Sequence, residues 1–93
     1  VPVEFEHRQE LEKNPVVGMR EYGTHNQPKG TWSDDSSLAL CLAESLCNGY
    51  NLNDIADKFI RWYYDGYCTP YGRVFDIGIT TARVICKMDV SLN

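Results

Sequence analysis

The sequence predicts an all-α domain, and three observations carry that prediction. Apolar residues recur at helical spacing in three stretches after Ser36. Helix stops such as Asn48-Gly49 and Gly66 separate them. No stretch alternates apolar and polar residues with period two, so nothing reads as a strand. The 93 residues leave room for one domain at most. A chain of this size buries about 60–65% of its unfolded surface.

Residues 5–13 are polar and charged around Phe5 and Leu11, which predicts a short surface helix ending before Pro15. Residues 21–33, EYGTHNQPKGTWS, form a long loop rich in Gly, Pro and small polar residues, and such loops often carry function. The clearest helix spans Ser36 to Cys47. Leu38, Cys41, Leu42 and Leu46 make one apolar stripe, Leu40, Ala43 and Cys47 a second, and Glu44 is its one charge. A helix apolar on nearly all sides must be buried on nearly all sides. A few short helices cannot surround it, so partners from a larger domain are expected.

Asn51 or Asn53 caps the next helix, about residues 53–65, with Ile55, Phe59, Trp62 and Tyr63 inward. Asp54–Lys58 and Asp57–Arg61 are i,i+4 pairs expected on its solvated face. Residues 66–75 are turn-rich and aromatic, and the aromatics of 62–71 read as core, with packing against a bound ligand as the alternative. A last helix, about 77–88, carries Ile79, Ala82, Ile85 and Cys86 inward and Arg83 and Lys87 outward.

Composition excludes several classes. Hydrophobic residues make up 43% and charged residues 24%, which is ordinary globular usage. No run approaches the roughly 20 apolar residues of a membrane span. A net charge of −4, with nine scattered Lys and Arg, argues against a nucleic-acid surface. Cys41, Cys47, Cys68 and Cys86 lack zinc-site spacing and read as reduced thiols, mostly core, in a cytoplasmic protein. The chain opens at Val1 and has no evident closing element, so it is expected to be a piece of something longer.

Three acidic features could carry chemistry. Ser33-Asp34-Asp35-Ser36 sets two adjacent carboxylates between hydroxyls at the head of the apolar helix. One acid suffices for an N-terminal cap. Two repel each other and lose hydration, a conflict that a hard divalent cation removes. Cap and metal site both remain open. Asp76, between Phe75 and Ile77, is a second candidate with the same cap alternative. Glu4, between Val3 and Phe5, is the third. The sequence assigns no role to His7 or His25.

Taken in order, Pro2-Val3-Glu4-Phe5, Gly23-Thr24-His25-Asn26-Gln27-Pro28 with Gly30-Thr31-Trp32-Ser33-Asp34-Asp35-Ser36, and Phe75-Asp76-Ile77-Gly78 with Thr80-Thr81 resemble the ADP-ribosylglycohydrolase family. The resemblance spans nearly the whole chain. It implies an all-α fold, of which residues 1–93 form one partial, N-terminal portion. It also implies a binuclear Mg²⁺ or Mn²⁺ site and hydrolysis of the glycosidic bond of an ADP-ribosylated protein or small molecule. Ser33, Asp34 and Asp35 take the metal-ligand positions. Glu4 and Asp35 take catalytic positions, and Asp76 and Gly78 take substrate positions. Ser33 stands where Thr is common, and Ile79 replaces an Asn often found before the paired threonines. Two family elements are missing: the Gly-Asp-rich segment before Glu4, and a C-terminal Asp-x-Asp-Thr/Ser motif that completes the metal site. The remainder of the domain is therefore an expected partner. Two rivals stay open: a non-catalytic structural or ADP-ribose-binding relative, and a small helical interaction module whose acids are only caps.

Overall fold

The computed structural model describes residues 1–92, with side chains to residue 90. It forms α1 (Arg8–Lys13), a single 3₁₀ turn (Gly23–His25), α2 (Asp34–Leu46), α3 (Leu52–Asp65) and α4 (Ile79–Leu92). Tyr22 and Gln27 make an isolated antiparallel bridge, and no strand forms among the described residues. The fold is all-α. It divides into two units, Val1–Thr31 and Trp32–Asn93.

In the first unit, α1 starts three residues later than the expected helix and carries one exposed i,i+4 pair, Arg8–Glu12 at 3.1 Å. A solvated pair of this kind contributes about 0.3–0.5 kcal/mol. Arg20 closes the following turn by donating to the carbonyls of Asn14 and Pro15, both at 2.7 Å.

In the second unit, α3 packs against both α2 and α4. Each helix supplies one buried apolar residue to the core: Cys41, Trp62 and Ile85. Leu38, Phe59 and Tyr63 pack around them, partly buried. Asn51 caps α3 as its sequence predicts, its side-chain oxygen accepting from the backbone of Asn53 and Asp54. Gly66 ends α3 at φ +72°, with its N–H bonded to Trp62 and that of Tyr67 to Arg61. A Cβ at Gly66 would lie 2.0 Å from the Gly72 carbonyl oxygen, so the 66–72 loop closes only because the residue is glycine.

α2 differs from expectation in start and face. It begins at Asp34, and its buried stripe is Ser37, Cys41 and Ser45, not the leucines. Leu40, Leu42 and Leu46 are exposed, as is Cys47. The reason is close approach: small side chains at i, i+4 and i+8 let α3 come near. Their polar atoms then find partners on facing elements. The Cys41 thiol contacts the Lys58 carbonyl at 3.7 Å, and the Ser45 hydroxyl donates to Asp54.

The same approach corrects the reading of Lys58. It is buried rather than solvated, with its ammonium 3.5 Å from both Glu44 of α2 and Asp54 of its own helix. The Tyr67 hydroxyl also donates to Glu44. Tyr67 and then Lys58 hold the Glu44 carboxyl below its ordinary range, and Ser45 and then Lys58 do the same for Asp54. Among the described residues of α4 only Ile85 is fully buried; Ile79 and Cys86, expected inward, are exposed because α4 meets one helix and needs one narrow stripe. The cysteines are free, but only Cys41 is buried, which corrects the expectation of mostly core thiols. Burial and then the neighbouring Cys68 push the Cys41 thiol up to about 12.

Trp62 is 1% exposed and Leu40 is 48% exposed, so they should respond very differently to truncation. Trp62→Ala is expected to remove about 3–5 kcal/mol, against a total near 5–15 kcal/mol. Leu40→Ala in the same chain should stay within about 0.5 kcal/mol. Urea denaturation followed by circular dichroism measures both, and comparable losses would contradict this packing.

Candidate functional site

The head of α2 and the loop before α4 meet through one carbonyl. The Trp32 indole N–H donates to the Cys68 oxygen at 3.1 Å, and the buried Ser37 hydroxyl donates to the same oxygen at 3.0 Å. Cys68 sits at φ +62°, unusual for a side-chain-bearing residue, and this turn aims its carbonyl at α2. The 66–76 loop is thereby tied to the first turn of α2. Between them lies a small cleft, about 10 Å³ in volume, lined by Trp32, Ser33, Asp34, Ser37, Arg73 and Asp76 among others.

The structure brings Ser33, Asp34 and Asp76 to this cleft although 42 residues separate the two acids. Asp35 is exposed on the first turn of α2, and neither it nor Gly78 lines the cleft. Glu4 belongs to the first unit. There its carboxylate oxygen lies 2.7 Å from His25 Nε2.

Neither simple cap reading accounts for these acids. Ser33 occupies the N-cap position of α2 in an extended conformation, yet its side chain makes no cap bond. Asp34 Oδ1 accepts from the Asp35 N–H at 3.0 Å, a local contact within the first turn. At α4 the Gly78 carbonyl accepts the first helical bond, from Ala82 at 3.0 Å, so Asp76 stands two residues ahead of the cap.

Electrostatics single out Asp34. Its carboxyl is raised above the usual 3.8, first by burial and then by the like charges of Asp76 and Asp35, against the lowering effect of the Asp35 N–H. Three carboxylates and a hydroxyl, all hard oxygen donors under mutual repulsion, are the donor chemistry that Mg²⁺ or Mn²⁺ takes. Ser33, Asp34 and Asp76 bring such donors to the cleft, whereas Asp35 stands outside it.

Sequence reasoning missed three of these residues. Trp32 stands only within the loop and the resemblance run and Ser37 receives no role, since their shared acceptor is 31 and more positions away. Arg73 brings a cation to the cleft from a Gly-Arg turn that has no periodic signal.

Comparison with known proteins agrees with the resemblance. The ADP-ribosylglycohydrolase family matches residues 1–91. The ADP-ribosylarginine hydrolase Tri1 of Serratia proteamaculans (strain 568) is 42% identical over 86 residues, covering 89% of this chain and 22% of that protein. The ADP-ribosylarginine hydrolase Tri1 of Pseudomonas putida (strain GB-1) is 34% identical over 85 residues, with the same coverage of 89% and 22%. The chain thus spans about a fifth of the length of these relatives. No solved structure matches significantly.

The like-charge account of Asp34 makes a titration prediction. Its pKa is raised on folding, so folding gains from the neutral acid below pH 3.8 and loses that gain as pH rises through the folded value. Carbon-detected NMR titration should find the Asp34 carboxyl above 3.8 and moving down in Asp76→Asn, while staying raised because burial is the larger cause. An Asp34 midpoint unmoved by Asp76→Asn would show that the two carboxylates do not interact.

Proposed function

This chain belongs to the ADP-ribosylglycohydrolase family, and on that premise we propose that the whole protein hydrolyses the bond between ADP-ribose and a protein side chain. Arginine is the acceptor to which the names of the two relatives point. One observation carries the reading: Asp34 and Asp76 share a cleft, and Asp34 is destabilised as a charge by burial and then by that neighbour. Acids kept under repulsion serve structure poorly and a cation or a polar substrate well.

Ser33, Asp34 and Asp35 are assigned as ligands of a divalent cation, Mg²⁺ or Mn²⁺, whose remaining ligands come from elsewhere in the whole protein. Such an ion supplies positive charge that holds ribose hydroxyls and makes a water more acidic. The chain's own carboxylates do the rest. Glu4 takes a proton from the attacking water as its oxygen bonds to the anomeric carbon. The carbon–nitrogen bond breaks with oxocarbenium character at the ribose, and the proton passes to the departing guanidine. Asp35 orients that water. Asp76 accepts hydrogen bonds from the sugar or the leaving group. Gly78, with no side chain, leaves room for substrate beside it.

The test is an assay of the whole protein on a peptide ADP-ribosylated at arginine. ADP-ribose release is expected with Mg²⁺ or Mn²⁺, stops with EDTA, and returns when the metal is restored. Asp34→Asn should lower kcat at least about 100-fold, in line with loss of a positioning charge. Tight ADP-ribose binding without release would favour a non-catalytic relative. Release that survives EDTA would remove the metal from the account.

A further inference from the structure

The Gly23-Thr24-His25 run is the motif that the proposed chemistry leaves unused. In the first unit each of its residues engages the segment that carries Glu4. Gly23 lies so close to Pro2 that a Cβ would sit 2.1 Å from the Pro2 carbonyl oxygen, and its φ is +62°. The Thr24 N–H donates to that same oxygen at 3.1 Å. The Thr24 hydroxyl donates to the Glu4 carbonyl. His25 then reaches the Glu4 side chain, Nε2 to Oε2, at 2.7 Å.

These contacts have a direction. Gly23 and Thr24 hold backbone, on either side of Val3, and so fix where the Glu4 Cα stands. His25 holds the carboxylate and so fixes where its oxygens stand. A carboxylate oxygen only accepts, so Nε2 must carry the proton and donate. The His25 side chain is 16% exposed and that of Glu4 is 37% exposed, so the bond is partly shielded on the histidine side while the carboxylate stays open. The segment's own bonds act locally: Glu4 N–H to Val1 at 3.2 Å and Glu6 N–H to Val3 at 3.1 Å close short turns around it. The backbone just beyond, at Phe5, is in the left-handed region at φ +68°. A proton-transfer group misplaced by about 1 Å can lose a factor near 100 in rate.

We propose that Gly23-Thr24-His25 is a positioning device for Glu4, with His25 as the residue that orients its carboxylate. The inference rests on Glu4 being the proton-transferring carboxylate. His25 needs no contact with substrate in this role. It spends one of Glu4's oxygens, leaving the other to face the reacting water. The geometry assigns three consecutive residues of one loop to a single task, which accounts for their being adjacent.

The experiment uses the whole protein and the arginine-ADP-ribosylated peptide, with kcat and KM measured separately. His25→Ala is expected to lower kcat about 10- to 100-fold with KM changed less than about twofold. His25→Gln, which keeps an N–H donor, should recover most of the loss. Glu4→Gln should lower kcat about 100-fold or more. Long-range ¹⁵N–¹H spectra of the unmutated protein should show the proton of His25 on Nε2, a readout that needs no variant to fold. Wild-type kcat in His25→Ala with Glu4→Gln inactive would overturn this inference and leave the role of Glu4 intact. Full activity in Glu4→Gln would overturn the role of Glu4 itself. An unprotonated Nε2 would overturn the hydrogen bond on which the device depends.

Discussion

Two hydrogen bonds to one carbonyl determine what the second unit can do. Cys68 presents its oxygen to Trp32 and Ser37 at 3.1 and 3.0 Å, and that places the loop ending in Asp76 against the head of α2. Both donors come from within four residues of Asp34. The same segment is held by the Thr69 bond to Gly66 and by Val74 and Ile77 packed on the core, and the tie adds its link to the head of α2. With it, the two acids share a cleft and feel each other's charge. The chemistry proposed for the cleft is a consequence of that spacing.

The packing beneath the cleft follows a similar economy of side-chain size. Ser37, Cys41 and Ser45 let α2 and α3 approach closely, and each polar atom on that face has a partner. Lys58 fills the seam with its stem and neutralises Glu44 and Asp54 with its head. Leu40, Leu42 and Leu46 are exposed, and Trp32, Ala39, Leu40 and Ala43 line an open apolar surface of α2. The isolated unit gains little from that surface, since area left wet contributes none of the roughly 25 cal/mol per Å² that burial provides.

Local chemistry made some of this legible in the sequence. The Asn51 cap, the Gly66 stop and the acids at the head of α2 depend on neighbours a few residues away, so spacing reveals them. The inner face of α2 was not legible, because leucines at helical spacing outweigh serines in any hydrophobic pattern. Which face is buried depends on what packs there, and α3 approaches the small side. Lys58 read as solvated for the same reason: its i,i+4 partner is visible in sequence, but Glu44 on another helix is not. His25 carries no local signal at all, since its partner Glu4 lies 21 residues away. The acids themselves stood out by type and adjacency, whereas the residues that hold them in place did not.

The most direct test of the central claim removes one of the two donors to Cys68. In the whole protein, Ser37→Ala deletes a buried hydroxyl whose hydrogen bond goes to the Cys68 carbonyl. Losing such a bond costs about 1 kcal/mol. If the tie sets the spacing of the carboxylates, calorimetric titration should show Mg²⁺ affinity falling about fivefold with helix content unchanged. Mg²⁺ affinity equal to that of the unmutated protein, in a variant that retains its fold, would contradict the account.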